Sequence, residues 1–201
     1  MSNKKQLIND TYSIFESHFN DLPSISSLAP GRINIIGEHT DYNEGLAIPG
    51  AIDRWICTSI AISSASFSSI YCVNYKEEIN FPLSSYKKTS NWMKLIDTIL
   101  NFFKDKYECK QEFNMVINGN IPIGCGLSSS TAFVISIVNA ICRISSIKIK
   151  DKEKVLLCQE IENSTLDNPG GLLDQYAILM SKEDQLMMIN FEKKSIKYFN
   201  I

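Results

Sequence analysis

The chain has no run approaching the roughly 18 apolar residues of a membrane helix, and its first residues, M-S-N-K-K-Q-L-I-N-D, lack the apolar centre of a secretory signal. A membrane partner is therefore not expected, and cytoplasmic is the default location. The six cysteines, Cys57, Cys72, Cys109, Cys125, Cys142 and Cys158, form neither a C-x-x-C pair nor a tight group with the two histidines. That spacing argues against structural zinc and for reduced, mostly buried thiols. A net charge of −2 removes any electrostatic reason to expect nucleic acid. Repeats and low-complexity stretches are absent, as is the phosphate-binding pattern G-x-x-x-x-G-K-[ST].

What is present is the composition of a globular protein, 44% apolar and 21% charged over 201 residues, enough for one domain with its own core. Leu7, Ile8, Tyr12, Phe15 and Phe19 recur at helical spacing and predict an amphipathic helix over 4–19. Pro23 and Pro30, with serines between them, mark a connector before a strand at Ile33 to Ile36. Trp55 to Ile62 and Phe67 to Asn74 are rich in β-branched and aromatic residues and read as two antiparallel neighbours. Further helices are expected over 91–106, 129–144 and 151–163, with a shorter one after Pro169-Gly170-Gly171. Strands are expected at Phe113 to Gly119 and, last, at Leu186 to Phe191, after which S-I-K-Y-F-N-I simply stops. The economical assignment is one mixed α+β domain with antiparallel strands.

Three segments concentrate chemistry. In A-P-G-R-I-N-I-I-G-E-H-T-D-Y-N-E-G, from Ala29 to Gly45, Arg32 offers a planar fork of donors, Glu38 and Asp41 accept, and His39 can do either. Together they cover both halves of the hydrogen-bonding demand of a small polyhydroxylated ligand. A turn histidine bonded to backbone is the alternative for His39. In G-N-I-P-I-G-C-G-L-S-S-S-T-A-F, Gly124 and Gly126 permit close backbone approach, and Leu127, Ser128, Ser129 and Ser130 lead into a helix whose first N–H groups suit a phosphate. In N-P-G-G-L-L-D-Q-Y, Asp174 follows a Gly-Gly turn as either a helix-start stabiliser or a functional carboxylate.

The first run closely resembles the galactokinase signature, and the second is similar to the phosphate-loop motif P-x-G-x-G-L-S-S-S-[AS]-A of the GHMP kinase superfamily, with Thr131 where alanine or serine is usual. The resemblance spans about residues 27–191. It implies an α+β GHMP kinase N-terminal domain of the ribosomal protein S5 domain 2-like fold, a mixed and mainly antiparallel sheet packed with helices. It further implies ATP-dependent phosphorylation of galactose at the C1 hydroxyl, with ATP and Mg²⁺ as cofactors. Asp174 then occupies the catalytic position, beside a Gln175 usual in the family. Arg32 stabilises negative charge in the reaction, Glu38, His39, Asp41 and Gly171 face the sugar, and Ser130 and Glu162 hold the metal. Glu160 is the competing carboxylate and reads as a surface residue. Trp92 resembles the tryptophan-led helix beside the adenine pocket, although a plain core residue fits as well. Gly170 and Leu172-Leu173 depart from the family's C-G-I-M-D-Q-like wording, which leaves an N-acetylgalactosamine-type kinase and a non-catalytic sugar or nucleotide sensor as alternatives. The family's second domain, with its third glycine-rich motif, is not expected within these residues, so a fragment, a split gene product and a reduced protein are all open, and a separate C-terminal GHMP domain is a candidate partner.

Overall fold

Six consecutive buried residues, Ile56 to Ala61, mark the centre of the sheet. A strand can stay apolar without alternation only where both of its faces are covered. In the computed structural model, which describes residues 3–82, 90–122, 124–166 and 170–200, this stretch belongs to strand β2, Leu46–Ile62. Helix α1, Asn3–Phe19, lies against one face, where Phe15 packs with Ala61 and Val116. Helix α3, Ser129–Ile144, lies against the sheet with the main core, and a buried Thr58 Oγ1···Ser136 Oγ bond of 2.8 Å ties β2 to it.

Strand β1, Ile25–Ile36, runs antiparallel beside β2. Strands β3 (Ser68–Cys72) and β4 (Glu77–Phe81) form a hairpin, followed by helix α2 (Asn91–Tyr107) and strand β5 (Phe113–Gly119). Helices α4 (Asp151–Thr165) and α5 (Leu173–Met180) precede a second hairpin of β6 (Gln185–Asn190) and β7 (Ser195–Asn200). The sheet order is β4-β3-β5-β2-β6-β7, with β1 also on β2; β3 and β5 are parallel and the other pairs antiparallel. This is the mixed, mainly antiparallel α+β architecture expected.

Four expectations need correction. The segments read as antiparallel neighbours, in β2 and β3, are separated by β5, which pairs antiparallel with β2 and parallel with β3. The connector before Ile33 is already strand, because Pro30 sits opposite Trp55 in β1, which pairs only with β2 and so tolerates a missing N–H on its other side. The strand at Leu186 to Phe191 is not the last, since S-I-K-Y-F-N forms β7 beside it. On α1 the buried stripe is Leu7, Thr11 and Phe15, with Tyr12 exposed, because Thr11 closes its hydroxyl onto the Leu7 carbonyl at 2.6 Å and so enters the core satisfied. The hairpin partner β4 lay outside the sequence reading. Asn168 and Pro169 lie outside the described residues.

The cysteines are thiols, with Cys57, Cys72, Cys142 and Cys158 buried, Cys109 half-buried and Cys125 exposed. Burial pushes Cys57 and Cys142 up to about 11 and Cys72 up to about 12, so these stay protonated. Among the described residues no helix is long and apolar enough to cross a membrane.

Phe15 is fully buried in the small cluster beneath α1. Phe15→Ala is expected to cost about 3–5 kcal/mol, read as a lowered urea midpoint with an unchanged slope. An unmoved midpoint would show that α1 contributes nothing to the cooperative unit.

Candidate active site

Arg32 leaves β1 just after a register shift between Pro30 and Arg32. Its backbone N–H donates to Leu127 O at 3.2 Å, and its Nη1 donates to Gly126 O at 2.6 Å. The loop before α3 is thus fastened to the strand by one residue. Gly124 and Gly126 adopt φ of +76° and +67° there, the region that favours glycine. Ser128 also lies in the left-handed region at φ +54° and precedes the first turn of α3, whose early N–H groups lack intrahelical partners and form an anion-binding end.

The same guanidinium reaches Asp174 in the first turn of α5. Nε and Nη2 contact Asp174 Oδ1 at 2.6 and 2.5 Å, while Ser128 Oγ donates to Oδ2. Asp174 is therefore held from β1 and from the loop before α3. Its helix start is fixed by Asp41, whose Oδ2 accepts from Leu173 N at 3.1 Å. A β-carbon on Gly171 would collide with the Asp41 carboxylate, so any other residue there would push that carboxylate off Leu173 N.

The turn between β1 and β2 carries Glu38, His39 and Asp41. Thr40 Oγ1 closes it through the Gly37 carbonyl at 2.7 Å. His39 sits at φ +60°, with Nδ1 2.6 Å from the Tyr42 hydroxyl and its carbonyl accepting from Asn43 Nδ2 at 2.7 Å. The histidine is held in its turn by a side chain, with the ring at the surface.

These groups line three adjoining clefts. The largest, about 740 Å³, contains Arg32, Glu38, His39, Asp41, Gly171 and Asp174. A neighbour of about 220 Å³ shares Asp41, Gly171 and Asp174 and adds Ser130, Glu162 and Gln175. Ser130 also borders a third, of about 320 Å³, which includes Ser129 and the Tyr75 and Trp92 rings. Those rings are stacked, 5.5 Å between centroids and 7° from parallel. Trp92 is 5% exposed, so it is both a core residue and a cleft wall.

Glu162 lies at the bottom of the middle cleft, 7% exposed. Its Oε1 accepts from Thr131 Oγ1 at 3.0 Å and its Oε2 from Gln175 Nε2 at 2.7 Å. Burial pushes its pKa upward; the Thr131 and Gln175 bonds oppose this, the Asp174 charge adds to it and Ser130 opposes it. Glu160 is exposed. Among the described residues no group of three or more His, Cys, Asp or Glu is placed to hold a metal ion. Glu162 and Ser130 could supply only part of a coordination shell, as fits a cation brought in with phosphates.

The family model described as "GHMP kinases N terminal domain" matches residues 94–182, and that described as "Galactokinase galactose-binding signature" matches residues 13–62. Residues 94–182 thus match a GHMP kinase N-terminal domain. The chain is 31% identical over 95% of its length to a galactokinase of Clostridium perfringens, of which it covers 51%. It is 32% identical over 91% of its length to one of Haemophilus influenzae, of which it covers 48%. The structure of Lactococcus lactis galactokinase complexed with galactose matches 96% of the chain with a TM-score of 0.86 and 26% identity, the chain covering 52% of that structure's length. The chain thus spans about half the length of the curated relatives it matches.

Of the expected site residues, Arg32, Glu38, His39, Asp41, Gly126, Gly171 and Asp174 line the largest cleft and Ser129, Ser130, Glu162 and Trp92 its neighbours, whereas Gly124, Leu127 and Ser128 line none of the three. Two change neighbours. Ser128, expected on the phosphate side, turns its hydroxyl to Asp174, and Asp41 anchors α5 as well as facing the largest cleft. Tyr75, Thr131 and the Gln175 side chain were not among the expected site residues. The departure at Thr131 and the family-like Gln175 were local signals, whereas Tyr75 had none.

A carboxylate whose pKa is raised by folding binds more protons folded than unfolded, so its ionisation lowers stability as pH rises. The cost is complete above the folded-state value and disappears below the ordinary glutamate range. Glu162→Gln can keep both bonds if the Gln175 amide turns over. Without ligand it is expected to melt above the parent at neutral pH, with the gap closing as pH falls through that window. Parallel melting curves across pH would contradict the assignment.

Proposed function

We propose that this domain is the sugar- and nucleotide-binding half of a galactokinase, transferring the terminal phosphoryl group of ATP to the C1 hydroxyl of galactose. The observation that carries this reading is Asp174, held by Arg32 and Ser128 at the boundary between the cleft of Glu38, His39 and Asp41 and the cleft of Ser130 and Glu162. Similarity to galactokinases supports the choice of sugar and donor.

A carboxylate has about four acceptor positions. Two contacts from Arg32 occupy Oδ1 and one from Ser128 occupies part of Oδ2, so a position on Oδ2 remains for a substrate hydroxyl. Asp174 orients that hydroxyl and accepts its proton as the oxygen attacks phosphorus. Arg32 keeps the carboxylate in place and, through its remaining N–H groups, supports negative charge on the attacking oxygen. Glu38 and His39 select the sugar through its other hydroxyls, while Asp41 both faces it and fixes α5. The N–H groups at the start of α3 bind donor phosphates, and the stacked Tyr75 and Trp92 border the base.

The buried Glu162 carboxylate retains acceptor capacity beside Ser130, which suits Mg²⁺ entering with ATP. When bound, Mg²⁺ would neutralise charge on the donor phosphates. Ile33, Ile35, Ile36 and Leu46 are exposed at the turn end of β1 and β2. We assign that apolar surface to contact with a second GHMP domain that completes the cleft. The reduced, mostly buried thiols fit a cytoplasmic location.

Calorimetric titration of the chain with galactose and with Mg·ATP tests the reading, and binding of both is expected. Binding without phosphoryl transfer, even when a GHMP C-terminal domain is added, would make the protein a sensor; binding of neither would overturn the reading. In the completed enzyme, Asp174→Asn is expected to lower turnover about 10²–10⁴-fold with nucleotide affinity retained. Turnover equal to the parent's would remove Asp174 from the chemistry.

A further inference from the structure

Gln175 follows Asp174 on α5 but faces a different direction, into the buried contact between α3, α4 and α5. Its side chain is 4% exposed and borders the 220 Å³ cleft. Nε2 donates to Glu162 Oε2 at 2.7 Å, whereas Oε1 is buried with no hydrogen-bond partner. The other atom in that condition among the described residues, Gln185 Oε1, belongs to a residue that borders none of the three clefts. A buried amide oxygen without a donor is destabilising unless something arrives to satisfy it. Turning the amide over would only set Gln175 Oε1 against an ionised Glu162 oxygen, so the observed orientation is fixed by the carboxylate.

Glu162 is gripped from the opposite side by Thr131, so both its oxygens have one bond and both retain acceptor capacity. Resting on the proposed function, we infer that Gln175 is an outer-sphere residue for the divalent cation of the Mg·nucleotide complex. Nε2 sets the direction of the Glu162 carboxylate, and Oε1 accepts a hydrogen bond from a water carried by the cation. Mg²⁺ sheds its water reluctantly and usually keeps several molecules, which makes donors of this kind available. Outer-sphere partners of this type fix ligand orientation and affect metal affinity without touching the ion. Gln175 is therefore a positioning residue, adjacent in sequence to the proposed catalytic carboxylate and directed at the metal instead.

The test is titration of the full chain with the non-hydrolysable analogue AMP-PNP, once with Mg²⁺ and once metal-free in excess chelator. Gln175→Met keeps the volume and removes both polar functions; Gln175→Asn keeps an amide but withdraws it by one methylene. Circular dichroism identifies the variant that folds. Either folded variant is expected to weaken Mg·AMP-PNP about ten- to a hundred-fold while leaving the metal-free affinity unchanged. Equal weakening of both titrations, or of neither, overturns the inference. A parent chain with no preference for the Mg²⁺ form overturns the metal reading itself, whereas a preference that survives in the variants overturns the role of Gln175 alone.

Discussion

One arginine joins the three parts of the site. Arg32 uses its backbone N–H on Leu127, Nη1 on Gly126 and the remaining edge of its fork on Asp174, so β1, the loop before α3 and the start of α5 share one residue. A lysine could place a charge nearby, but a compact ammonium cannot hold a carboxylate edge and a carbonyl in fixed relative directions. The arrangement depends on β1 being anchored along the buried β2, since a small shift in that strand would move loop and carboxylate together. The core thus sets the accuracy of the site.

Glu162 shows the opposite balance. Two neutral donors hold it, but neither brings positive charge into a place that is largely shut off from water. Burial pushes its pKa upward, so the ionised carboxylate weakens the fold. Under the proposed function, a cation bound beside it would supply the compensating charge. Binding and stability are then linked, and the proposed nucleotide complex would tighten the contact between α3, α4 and α5 as well as fill a cleft.

Helices were legible in the sequence because their period is local. Ser129–Ile144 matches its expected span, and the ends of α1, α2 and α4 differ by one or two residues. Strand neighbours were not, since β5 enters between β2 and β3 from about 40 residues further along the chain. Pro30 concealed the first half of β1, and β7 carries only a two-residue apolar alternation, Ile196 and Tyr198, half-buried between exposed neighbours. The candidate site divides in the same way. Arg32, Ser130 and Asp174 stand in recognisable runs and Glu162 follows from the family resemblance, whereas the direction of the Ser128 hydroxyl, the Tyr75 stack and the Gln175 amide arise from elements meeting in space. No linear pattern marks a residue one step from Asp174 as a partner of Glu162.

Under the proposed function, Asp41 ties acceptor recognition to carboxylate placement. Its Oδ2 holds the first N–H of α5, its body fills the space that a side chain on Gly171 would need, and it borders the largest cleft and the middle one. A sugar hydroxyl engaging the remaining capacity of this carboxylate would therefore bear on the helix that carries Asp174. The glycine is favoured by this contact and not by its backbone conformation, since even a methyl group would displace the carboxylate. On the proposed function, recognition at the β1–β2 turn and positioning at α5 meet in one side chain, so a change in sugar preference made at Asp41 would also disturb Asp174, whereas changes at Glu38 or His39 would leave the helix start untouched.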